Sequence, residues 1–207
     1  MRRFLAAQFA PVLRAWRNGY EAEVRRAAIA FFLLVFLAFG VCLAVPELRL
    51  GFSAYLQHLF QGMDLTDGAG NLSPLLLLAN NLRACAVTML YGLIPFVRLP
   101  ALALGVNAVL LGGLAACYAA TDTTMLLYAA SLLPHGIFEL PALVIALALG
   151  VSLCSHVTDF VRHNQKGVMV PLMLQTLRVL LLRVLPLLIV AAVMEAYVTP
   201  LVLALLG

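Results

Sequence analysis

PHGIFELPALVIALALG occupies residues 134–150. Its second half is an apolar run without a charge, while its first half carries His135 and Glu139, four residues apart between Pro134 and Pro141. Extended to about residue 156, the run reaches the ~20 residues that cross a bilayer. The rest of the chain follows suit. Of its 207 residues 64% are hydrophobic and 11% charged, against roughly a quarter charged in a soluble domain, and mean hydropathy is +1.06. This excludes a soluble globular protein and predicts an all-α, polytopic helical membrane protein.

Five spans are expected, at about 27–45, 74–97, 99–120, 135–156 and 179–202, with a long loop at 46–73 and a basic segment at 157–178. Within the loop, Phe52, Tyr55, Leu56, Leu59 and Phe60 suggest a short surface helix. Residues 1–26 repeat Leu5, Phe9, Leu13, Trp16, Tyr20 and Val24 at helical spacing among arginines. That pattern suits an amphipathic helix on an anionic lipid surface; with a membrane span attached, nucleic acid is not expected as a partner. Basic residues cluster before the first span, at Arg98 and across 162–178, which predicts a cytoplasmic N-terminus and an external C-terminus. Pro134 and Gly136 read as an irregular entry to the fourth span, with 125–133 open to a re-entrant reading. Cys42, Cys85, Cys117 and Cys154 lie in apolar segments without metal-ligand spacing and read as packing residues.

Polar groups inside a bilayer are costly, so each needs a reason. Asn80, Asn81 and Arg83 lie in the second span, Glu139 enters the fourth, and Glu195 stands near the end of the fifth. With His135, all fall in the outer half of the membrane. Asn80, Ala84, Thr88 and Tyr91 share one helical face, with Arg83 on its flank, where it could neutralise Glu139 or Glu195. In the third span Ala101, Gly105, Ala108, Gly112 and Ala116 form a small-residue stripe suited to close packing, opposite Asn107. This places the third span at the centre of the bundle. Ala142, Ala146 and Gly150 share a face with Glu139 and predict a close neighbour there. Such faces could serve internal packing or a homodimer.

No HExxH, Gly-x-Ser-x-Gly or phosphate loop occurs, and His135 with Glu139 alone falls short of a zinc site. No cofactor, metal or catalytic residue is expected from these motifs.

Several stretches together resemble the stage II sporulation protein M family of integral membrane proteins. They are ANN at 79–81, YGLIPF at 91–96, GVNAVLLG at 105–112, the opening 134–150 block and AAVMEAYVTP at 191–200. Where the family commonly shows Asn-Gly in the third span, this chain has Asn107-Ala108. The resemblance implies a bacterial plasma-membrane protein without catalytic chemistry. Its sporulation member looks like a scaffold for peptidoglycan remodelling, so a scaffold with cell-envelope protein partners is the first functional expectation. A small transporter or channel using the outer polar cluster is the alternative.

Overall fold

The computed structural model describes residues 10, 12, 19–61, 65–66, 71–121, 125–163, 167 and 169–206, the side chains of 59–61 excepted. The 1–26 amphipathic segment lies largely outside these residues. From Glu21 on, the described residues form, in order, α1 Glu21–Ala44, α2 Pro46–Gln61, α3 Pro74–Tyr91, α4 Leu99–Ala119, α5 Met125–His163 and α6 Met169–Ala204. All but α2 are long and apolar enough to cross a membrane. The all-α class and the five expected spans are therefore present. Side chains turned away from the bundle are strongly apolar, with Leu33 65% and Phe36 70% exposed on α1. Such a surface suits contact with lipid.

α5, rather than the third span, is the hub. It packs against α1, α3, α4 and α6, and 61% of its most apolar stretch is buried, against 39% for α4 and less for the others. The reason is compositional. Residues 144–150 are buried on every side, which marks a helix enclosed by neighbours. α4 has a narrower buried edge, dominated by its contact with α1.

α5 also departs from the expected start at 135. It is one continuous helix from Met125, so 125–133 is not a re-entrant stub and His135 is not on an approach. Tyr128 supports the extension, since this buried residue donates its hydroxyl to the Leu111 carbonyl on α4 at 3.1 Å. Pro134 and Pro141 lie inside the helix. Each removes one backbone donor, a loss membrane helices absorb among neighbours. At ~1.5 Å per residue α5 is roughly 58 Å long, well beyond the ~30 Å hydrocarbon core. The basic segment expected at 157–178 is correspondingly short of loop, because α5 runs to His163 and α6 starts at Met169.

Small residues set the helix spacing. A Cβ on Gly112 would run into the Val35 carbonyl oxygen, so α1 and α4 touch backbone to backbone. A Cβ on Gly150 would meet the Thr88 carbonyl oxygen at 2.8 Å and Pro100 Cβ at 2.9 Å, which seats α5 on α3 and α4 together. Ala108, Ala116, Ala142 and Ala146 are fully buried beside these contacts. Gly105, by contrast, faces open space. α2 lies across the Pro74 end of the bundle, the Phe52 ring against Gly113 and Leu56 buried.

α3 ends at Tyr91, six residues short of the expected boundary at 97, and a pinned turn leads into α4. Phe96 takes a left-handed conformation (φ 66°). Its N–H donates to Thr158 Oγ1 at 3.0 Å and Arg162 stacks 5.5 Å from its ring centroid, so α5 holds the turn in place.

Candidate functional site

α6 is locally wound in two wide π turns, Leu180–Val184 and Met194–Val198. Pro186 and Pro200 follow these turns by two residues. A proline ring collides with the carbonyl four residues earlier, here Leu182 and Ala196 inside the wide turns. Widening the helix relieves that collision. Such turns often mark functional sites, and the second one contains Glu195 and leads directly into Thr199.

On α5 the two prolines bracket His135 and Glu139, which share a face one turn apart. His135 Nε2 lies 4.0 Å from Glu139 Oε2, and Nδ1 lies 3.3 Å from Thr199 Oγ1 on α6. Thr199, 7% exposed, in turn donates its hydroxyl to the Met194 carbonyl at 3.3 Å. With the Thr199 hydroxyl proton on the Met194 carbonyl, the His135 tautomer that completes the chain carries its proton on Nδ1, and Nε2 is the nitrogen that faces Glu139. Ligand atoms of His135, Glu139 and Glu195 all lie within 4.8 Å of one another.

These three residues open on a cavity of about 330 Å³. Asn80 and Asn81 of α3 and Asn107 of α4 add polar wall, while Phe31, Leu56 and Leu77 are among its apolar lining. Asn107 is held in place by donating Nδ2–H to the Ala103 carbonyl at 2.8 Å. Polar residues from four helices thus reach one space, with α2 across its end.

Arg83 is not among them. It is exposed, and the buried edge of α3 runs through Leu77, Cys85, Thr88 and Met89. At ~100° per residue Arg83 lies about 160° from Cys85. The face expected through Asn80, Ala84, Thr88 and Tyr91 is likewise rotated, since Ala84 and Tyr91 are exposed. Pairing of Arg83 with Glu139 or Glu195 is thereby excluded in this arrangement; among the described residues the cavity lining contains no Lys or Arg. Of the small residues, Ala108, Gly112, Ala142, Ala146 and Gly150 are buried, while Gly105 is half-buried on the open side.

Sequence reasoning missed Thr199 and the apolar walls. Thr199 carried a signal, being four residues beyond Glu195 and next to a proline, but the wide turn that aims it is a tertiary outcome.

The model for stage II sporulation protein M matches residues 28–200. The chain belongs to the stage II sporulation protein M family. No curated protein and no solved structure matches it. The family match spans every cavity residue, from Phe31 to Glu195, and extends through Thr199.

Proposed function

We propose that this family member is a transport-type membrane protein of the bacterial plasma membrane, binding a small cationic or polar solute inside its helix bundle. One observation carries the reading: His135, Glu139 and Glu195 converge with three asparagines on a single intramembrane cavity. Ionisable side chains within spans mark ion and substrate paths, and among the described residues no Arg or Lys lines the cavity to give the carboxylates a purely structural partner. The family has no established catalytic chemistry, which supports a non-enzymatic role.

The test is flux in proteoliposomes loaded against gradients of H+, Na+, K+, Mg2+ and Zn2+, each followed with an ion-sensitive dye. Wild type is expected to move at least one of them. Glu139→Gln and Glu195→Gln should each lose at least nine-tenths of that flux (about 1.4 kcal/mol or more). Arg83→Ala, on the outer face, should retain it. Absence of flux for every ion with folded wild-type protein, or equal loss in Arg83→Ala, would overturn the reading.

A membrane scaffold recruiting cell-envelope partners is the second reading, favoured by the family match itself. It predicts stoichiometric partners on purification from native membranes, retained in Glu139→Gln and Glu195→Gln.

A further inference from the structure

His135, Glu139 and Glu195 are of the residue types that ligate borderline transition ions through nitrogen and oxygen. They come from two helices, α5 and α6, whose proximity the family's two polar blocks did not by themselves reveal. We infer that they bind one divalent transition-metal ion, of which Zn2+ is the type, with the cavity supplying the open coordination position. The inference deepens the solute-site reading above and rests on it.

Geometry leads the case. A 4.0 Å gap between His135 Nε2 and Glu139 Oε2 is too long for a hydrogen bond. It is close to the spacing of two ligands on one ion: bonds of ~2.0–2.2 Å place tetrahedral ligands about 3.4 Å apart. Bringing the third ligand in from within 4.8 Å needs a shift of up to about 1.4 Å in a flexible carboxylate. The surroundings fit as well. Metal-bound histidines characteristically donate their other ring nitrogen to a protein acceptor that fixes the tautomer. In the tautomer protonated at Nδ1, His135 donates to Thr199 Oγ1, Thr199 donates to the Met194 carbonyl, and the bare Nε2 faces the carboxylates.

Charge points the same way. Two half-buried carboxylates facing one cavity are disfavoured without a cation between them. Arg83 faces outward and no basic side chain other than His135 lines the described cavity. A divalent ion neutralises both carboxylates while a neutral imidazole serves as third ligand. The hard cations Na+, Ca2+ and Mg2+ favour all-oxygen sites, so the histidine selects against them. Three protein ligands with one open position is the arrangement zinc uses where a further ligand must exchange.

The experiment uses the full chain in detergent, stripped of metal and titrated with Co2+ while its visible absorption is read. One equivalent of Co2+ per chain is expected, displaced by Zn2+ and not by Na+, Ca2+ or Mg2+. Glu195→Gln and His135→Gln should weaken binding at least tenfold. Thr199→Val keeps all three ligands but cuts the relay, and should weaken it by ~10–100-fold. It serves as the second variant if a ligand substitution fails to yield monodisperse protein. Three results would overturn the inference: no stoichiometric Co2+ or Zn2+ on folded wild type, wild-type affinity in Glu195→Gln, or displacement by Na+ or Ca2+ as readily as by Zn2+. Its failure is separable from that of the transport reading. Metal binding without flux of any ion removes transport and leaves the site, whereas H+ or Na+ flux without metal binding removes the site and leaves transport.

Discussion

Gly112→Val should collapse the stability of the purified protein, while Gly105→Ala, seven residues earlier on the same stripe, should leave it unchanged or raised. Gly112 has no room for a Cβ because the obstructing atom is a backbone oxygen of α1, at Val35, with Ala38 Cβ and the Phe39 nitrogen 3.0 Å away. Backbone held in a helix cannot step aside as a flexible side chain can. The substitution must therefore separate α1 from α4, which form an extensive helix contact among the described residues. Overpacking in a well-packed core costs about 1–3 kcal/mol and occasionally more. With two branches and a rigid opponent, about 3 kcal/mol or more is expected here. Gly105 meets nothing within 4 Å of a built Cβ, so Ala there gains the ~0.5–1 kcal/mol helical advantage over Gly. Thermal unfolding in one detergent, read side by side, checks both signs. Equal losses would mean that the stripe packs uniformly and that the α1–α4 seam is misplaced.

Phe31→Ala carries the second large effect. Phe31 is fully buried in α1, in a cluster with Leu104, Ala108, Val144 and Leu147, and it also forms part of the cavity wall. Truncating it removes the partition between packed core and polar space. In soluble cores Phe→Ala costs ~3–5 kcal/mol through lost transfer and a residual cavity. Lipid is as apolar as the side chain, so within a bilayer the packing term carries most of the cost. A loss of about 3 kcal/mol is expected, the low end of that range. The enlarged cavity should also admit solutes that wild type excludes, measurable in the same proteoliposome assay. A stable Phe31→Ala protein with unchanged selectivity would show that this ring does not separate core from cavity.

The five spans were legible because apolar runs of bilayer length have few other uses. Of the residues expected in the outer half of the membrane, Asn80, Asn81, His135, Glu139 and Glu195 line one cavity, while Arg83 does not. Rotation about the helix axis was harder. On α3 the face was drawn through its polar residues, whereas burial follows Leu77, Cys85 and Met89, which turns Arg83 outward. The prolines of α5 misled in the opposite direction. Pro134 reads locally as a helix boundary, but Tyr128 and Ala130, buried on the preceding turns, hold the chain helical. The hub is α5 and not the third span for a related reason. Glycine and alanine spacing marks where helices come close, whereas the all-round burial of 144–150 marks what lies at the centre. The alignment of Thr199 with His135 needs two wide turns whose trace in the sequence is only a proline two residues past each.

The central claim is that α5 and α6 bring His135 and Thr199 into contact, and with them Glu139 and Glu195, inside one chain. A cysteine pair tests it most directly. In a background with Cys42, Cys85, Cys117 and Cys154 replaced, His135→Cys with Thr199→Cys would be treated in membranes with a short bifunctional methanethiosulfonate. A protease site placed between α5 and α6 then reports whether the two halves stay joined. The account predicts that they remain linked after cleavage, and that Arg83→Cys with Thr199→Cys does not link its helices. Separation of the 135–199 pair, or equal linkage through position 83, would contradict it.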